Sequence, residues 1–184
     1  MKRKIIAFCG NANSGKDYSC ERLIMTRGFK KVAFADALRD IAFSTIGIPF
    51  DEGMKQYEEL KLTKLIGDLT LRNIMENLGA GIRKYDENFW VRSALKQIKE
   101  TVCDVCISDL RYYNEYVLVK AYCNENNIDF KLVFCDYHGA NYEEDNPHES
   151  ARLAKYLKSL GYKDQQEVVD ADMQTFSLVE FVKS

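Results

Sequence analysis

The run Gly10-Asn11-Ala12-Asn13-Ser14-Gly15-Lys16 fits the pattern G-x-x-x-x-G-K. That spacing suits phosphate. Glycines let the backbone curl until successive N–H groups point inward at one anion. A helix starting at the lysine adds partial positive charge. The ammonium of Lys16 would reach the β- and γ-phosphates of a nucleoside triphosphate and neutralise charge during transfer. The strict pattern continues with Ser or Thr, whose hydroxyl ligates Mg²⁺, but here the position holds Asp17. A carboxylate is a hard oxygen ligand and suits Mg²⁺ directly or through water. It also brings negative charge beside the phosphates, which on this reading a metal or Lys16 must offset.

Transfer to a small phosphorylated acceptor needs a second anion-binding set. Arginine suits it, because a planar guanidinium clamps phosphate with two hydrogen bonds. Candidates lie in Phe34-Ala35-Asp36-Ala37-Leu38-Arg39, in the run from Thr70-Leu71-Arg72 through Glu76 to Arg83, in Asn88-Phe89-Trp90-Val91-Arg92, and in Ile107-Ser108-Asp109-Leu110-Arg111. In the last, an apolar strand ends in a carboxylate. At the carboxyl end of a parallel strand, Asp109 points into the crevice where α/β proteins bind ligands. It suits ordering Mg²⁺ and water there, and Arg111 suits bridging donor and acceptor phosphates. Taken alone, each arginine also reads as a solvated surface charge, and Asp36 as a helix N-cap. Trp90, the single tryptophan, reads as a core side chain or as a stacking surface for a base.

Positioning these groups requires strands feeding loops. Short apolar runs alternate with helical patterns, the signature of a βαβ protein with a parallel sheet. Strands are expected at 5–9, 31–34, 102–108, 130–135 and 168–169. Helices are expected at 16–26, from Asp36 onward, from 70 to a stop at Gly79, and at 86–99, 114–124, 148–160 and 176–182. Residues 50–69 are charged and weakly periodic, and 136–147 form a polar loop. The phosphate loop thus follows an apolar strand and precedes a helix, as its chemistry requires.

The chain has 184 residues, 46% of them hydrophobic, which suits one domain with its own core. Lys and Arg number 26 against 28 Asp and Glu. That balance argues against a sequence-independent grip on nucleic acid. No apolar stretch reaches the ~18–20 residues of a bilayer span. The basic-then-apolar start breaks at Gly10, so no secretory leader is expected. Six cysteines stand at positions 9, 20, 103, 106, 123 and 135. Reduced thiols in a cytoplasmic, reducing compartment are expected. Cys103 and Cys106 form a C-x-x-C. It could be a metal half-site or a redox pair, but with no second C-x-x-C it reads as two small core residues.

In order along the chain, these motifs resemble the bacteriophage-type deoxynucleoside monophosphate kinases and the related phosphomevalonate kinase group of P-loop kinases. The matching segments are Ser14-Gly15-Lys16-Asp17, Phe34-Ala35-Asp36-x-Leu38, Leu71-Arg72 with Leu78-Gly79, 86–91, and Ser108-Asp109-x-Arg111 with Asn114-Glu115. His148-x-Ser150 and the closing 168–182 segment are similar too. The resemblance implies a three-layer α/β/α, adenylate-kinase-like fold with a five-stranded parallel sheet. It implies a single domain over 1–184, an acceptor-binding helical region at about 36–100, and a lid-like loop at about 136–150. It implies ATP and Mg²⁺, with Gly10, Asn11, Ala12, Asn13, Ser14, Gly15, Lys16 and Asp17 on the donor phosphates. Asp36, Arg39, Arg72, Glu76, Arg83, Trp90 and Arg111 become acceptor-side candidates, and Asp17 and Asp109 metal candidates. The family often has Gln at position 76 and Thr at position 80, where this chain has Glu76 and Ala80. The 136–147 loop carries no arginine; Arg152 is the nearest.

The expected reaction moves the γ-phosphoryl of ATP to a (deoxy)nucleoside monophosphate. The partners are small molecules, with no nucleic acid and no membrane, and a homodimer is left open. The rivals are a kinase of another phosphorylated small molecule, such as phosphomevalonate, and a non-catalytic ATP-binding regulator.

Overall fold

A computed structural model describes residues 2–10, 13–135, 152–159 and 166–168. They divide into two compact units. One contains the described residues up to Ala33 and from Ile98 onward; the other is Phe34–Gln97.

In the first unit, β1 (Lys4–Cys9) runs through the phosphate loop into α1 (Lys16–Arg27), and then β2 (Lys30–Val32). After the second unit come β5 (Val105–Ile107), α7 (Tyr113–Glu125), β6 (Asp129–Phe134), α8 (Arg152–Ser159) and β7 (Gln166–Val168). The sheet order is β2-β5-β1-β6-β7. Ile5 pairs with Val105 on one side of β1 and with Phe130 on the other, both in parallel register. Val32 pairs with Ile107, also in parallel. The strand β7 is antiparallel, with Leu132 opposite Val168. The sheet therefore has five strands but only four are parallel, which corrects the all-parallel expectation. A three-residue strand carries no directional signal, and an antiparallel edge on a parallel sheet is common.

Parallel strands covered on both faces are apolar throughout, and β5 is buried at all three positions. One core cluster joins Phe8, Cys20, Phe29, Cys106 and Cys135. The C-x-x-C splits. Cys106 is buried in β5, whereas Cys103 is exposed before it, so the expectation of two core residues holds for one alone. The strand is also shorter than 102–108, because Val102 is 96% exposed.

The second unit contains α2 (Ala35–Thr45), α3 (Phe50–Lys55), α4 (Tyr57–Leu60), a hairpin of β3 (Lys64–Ile66) and β4 (Leu69–Thr70), α5 (Leu71–Tyr85) and most of α6 (Phe89–Glu100). Its core gathers Ala42, Phe43, Leu60, Leu71 and Met75. The rings of Phe50 and Tyr57 meet Phe43 edge-on at 6.1 and 6.4 Å. Gly53 lets α3 lie against Phe43, since a Cβ there would stand 2.6 Å from the ring.

Two expected helix ends move. Phe34, not Asp36, occupies the N-cap of α2. Asp36 lies in the first turn, where a carboxylate favours the helix dipole. Likewise α5 does not stop at Gly79. Thr70 caps its start by accepting from the Asn73 N–H, and the helix continues to Tyr85. Gly79 is instead a packing glycine, because a Cβ there would come within 3.3 Å of Leu38. The 136–147 loop, the 176–182 helix and the ends of the 148–160 helix lie outside the described residues.

Candidate active site

The site begins where β1 ends. Gly10 has φ +144°, a conformation that L side chains rarely adopt, and a Cβ there would collide with the Cys135 carbonyl oxygen at 2.1 Å. The N–H of Cys135 donates to the Cys9 carbonyl at 2.8 Å. The carboxyl ends of β1 and β6 therefore meet at the start of the loop. Positive φ recurs at Asn13 (60°) and at Gly15 (88°). Left-handed residues in this spacing are how a loop turns its N–H groups to one concave side. Asn tolerates the conformation at Asn13 because its short amide side chain bonds locally. Gly15 caps α1.

Lys16 opens α1, yet only 7% of it is exposed. Its side chain folds back over the loop, where Nζ donates to the Gly10 carbonyl at 3.0 Å and to Ser14 Oγ at 3.3 Å. Burial pushes its pKa down, and the charge of Arg111 pushes it further the same way. A bound anion there would meet the ammonium, the guanidinium field and the first-turn N–H groups, so the donor set fits phosphate.

Asp17 is exposed, and its carboxylate is engaged. Partial burial alone would raise its pKa. The hydrogen bond and charge of Lys31 outweigh that, with help from Lys16 and the Ser108 hydroxyl, and hold it below the ordinary carboxylate range. Lys31 Nζ lies 2.7 Å from Asp17 Oδ1. Asp109 is nearly buried at the carboxyl end of β5, and Arg111 is exposed two residues on. The backbone there is pinned by Glu115, whose Oε2 accepts from the N–H of Arg111 at 2.7 Å and of Tyr112 at 3.0 Å. Glu115 is 2% exposed.

Lys31 was given no role from the sequence, and Glu115 entered only in the matching segment Asn114-Glu115. Glu115 stands three residues after the cap of α7, as in a capping box, but Tyr112 in the cap position hides the motif. Nothing local marks Lys31.

The other candidates belong to the second unit. Asp36 pairs with Arg39 at 2.7 Å, both largely shielded. The Arg39 guanidinium also lies 5.2 Å from the Tyr57 ring centre. Arg72 and Glu76 pair with each other on the exposed face of α5 at 3.3 Å. Arg83 lies one turn beyond Gly79 and is half-buried. Arg92 pairs with Asp86. Trp90 is 1% exposed, and its indole N–H donates to the Gly79 carbonyl at 3.3 Å. Of the two readings offered for it, this burial favours the core side chain. The side chain of Arg152 and residues Asn11 and Ala12 lie outside the description. Among the described residues, no helix is long and apolar enough to cross a membrane.

No family model matches the chain. Uncharacterized protein ORF77 of Ictalurid herpesvirus 1 (strain Auburn) is 32% identical over 97 residues, which make up 53% of this chain and 36% of that protein. The match thus spans about a third of the viral protein's length. Two solved structures of the Mycobacterium tuberculosis APS kinase CysC are similar at 15% identity. The Cys556Ala mutant has a TM-score of 0.34, with 86% of this chain and 96% of that chain covered. The complex with AMPPNP and APS has a TM-score of 0.36, with 100% and 99% covered. The architecture rests on the chain's own strand order and phosphate loop.

Proposed function

We propose that the chain is a phosphotransferase on an adenylate-kinase-like P-loop scaffold, moving the γ-phosphoryl of ATP to a (deoxy)nucleoside monophosphate. The observation that carries this reading is Lys16: a nearly buried ammonium, folded onto the loop before it and set in the field of Arg111. Burial and the Arg111 charge both disfavour the lone ammonium, and a bound phosphate would offset both.

On this reading, residues 10–17 hold the donor phosphates, and Arg152, the arginine nearest the 136–147 loop in sequence, is a further donor-side candidate. Asp17, directly or through water, and Asp109 would supply oxygens to Mg²⁺, which when bound would neutralise phosphate charge. Among the described residues there is no cluster of three or more His, Cys, Asp or Glu side chains. Phosphate and water would therefore complete the shell, as is usual for Mg²⁺. Arg111 bridges donor and acceptor phosphates. In the second unit Asp36, Arg39, Arg72, Glu76 and Arg83 are the acceptor-recognition candidates. The acceptor phosphate is already anionic at neutral pH, so the chain needs neither a strong base nor a covalent intermediate. Catalysis is positioning and charge neutralisation.

The test is a transfer assay with ATP and Mg²⁺ against each deoxy- and ribonucleoside monophosphate, phosphomevalonate and APS, with Lys16→Ala as control. Diphosphate product that falls by at least about a hundredfold in the folded variant supports the assignment. Product from phosphomevalonate or APS alone moves the acceptor to that class. ATP binding without product from any acceptor makes the chain a non-catalytic ATP-binding protein.

A further inference from the structure

A carboxylate directly after the phosphate-loop lysine is the feature of this chain least compatible with phosphate, because like charges within a few ångströms repel. The structure already pairs that carboxylate with a cation. Lys31, in β2, sets Nζ 2.7 Å from Asp17 Oδ1. The two residues come from a helix and an edge strand of one unit. The side chains of Lys31 and Asp17 are 37% and 71% exposed. An ion pair that open contributes little to folding stability. Its consequence is local charge: where the loop curls toward an incoming anion, Asp17 is already neutralised.

We propose that Lys31 is the resident counter-ion of Asp17 and lets the phosphate loop bind phosphate groups without a metal ion. This rests on the phosphate-site reading above and extends it. Neither a metal nor Lys16 has to offset Asp17 alone. A magnesium ion bound directly to Asp17 Oδ1 would have to displace an ammonium, so metal-free affinity depends on Lys31.

The test is calorimetric binding of ADP in EDTA to wild type, Lys31→Met, Lys31→Arg, Asp17→Asn and the Lys31→Met/Asp17→Asn double variant. Circular dichroism confirms that each is folded. Removing the counter-charge should weaken metal-free ADP binding about tenfold. Lys31→Arg should keep near-wild-type affinity. In the Asp17→Asn background, Lys31→Met should change affinity less than about twofold, the mark of two residues acting as a coupled pair. Equal losses in both backgrounds would mean that Lys31 acts on the nucleotide itself, and would overturn the proposal while leaving the phosphate site standing. No loss in either background would overturn it as well. Wild type that binds ADP neither in EDTA nor with Mg²⁺ would overturn the phosphate-site reading and this inference with it.

Discussion

Gly10 and Gly15 separate two reasons for glycine in one loop, and alanine at each position tells them apart. At Gly15 the obstacle is backbone conformation alone: φ is +88° and a Cβ would meet nothing within 4 Å. Placing alanine there costs about 1–2 kcal/mol. At Gly10, φ is +144° and a Cβ would stand 2.1 Å from the Cys135 carbonyl oxygen and 2.6 Å from Ser14 Oγ. The serine hydroxyl can rotate away. The carbonyl cannot move easily, because its own residue's N–H is bonded to Cys9 at 2.8 Å and continues the β1–β6 pairing. A backbone penalty of about 1–3 kcal/mol therefore adds to an overpacking penalty of about 1–3 kcal/mol. Gly10→Ala should lose about 2–6 kcal/mol, a large part of a typical stability of about 5–15 kcal/mol. In melting temperature that is about 4–24 °C, against about 2–8 °C for Gly15→Ala. Urea denaturation monitored by circular dichroism measures both. A Gly10→Ala variant no less stable than Gly15→Ala would refute the close approach of β6 to the loop.

Thiol labelling with a chromogenic disulfide should modify Cys103 at once and the other five cysteines only after denaturation, since those five are buried; burial pushes the Cys123 thiol up to about 12. A second fast thiol would contradict the packing of the sheet. Lys16 should also leave a signature at alkaline pH. Burial and Arg111 hold its folded pKa below the ordinary 10.5, so between the two values the unfolded chain binds more protons. The stability of wild type relative to Lys16→Met should rise with pH through that window and level off above 10.5. A difference that stays flat across that window would mean the ammonium is solvated.

The local pattern around the phosphate loop was readable because each part of it is written in adjacent residues. The apolar run before Gly10 and the periodicity after Lys16 placed the first strand and helix within one residue of Lys4–Cys9 and Lys16–Arg27. The end of β5 was readable for the same reason: an apolar run stops at Ser108-Asp109 and Arg111 follows. What local pattern could not show was which polar side chains find one another. Asp36 reads as a cap from its type, yet its carboxylate goes to Arg39 one turn on. Gly79 reads as a helix stop, yet its missing side chain makes room for Leu38. Arg72 and Glu76 read as separate recognition groups, yet helical spacing pairs them with each other.

The sequence by itself determined the α/β character of the chain, the strand–loop–helix around the glycines, and the lysine that opens the helix, because these depend on periodicity and glycine placement over short distances. Only the tertiary structure decided that β7 runs antiparallel, that Trp90 is enclosed, and that Lys31 reaches Asp17 from the edge strand. Those outcomes depend on which segments the sheet brings side by side. Parallel pairing joins residues about 100 apart, such as Ile5 and Val105, and no local pattern records that pairing.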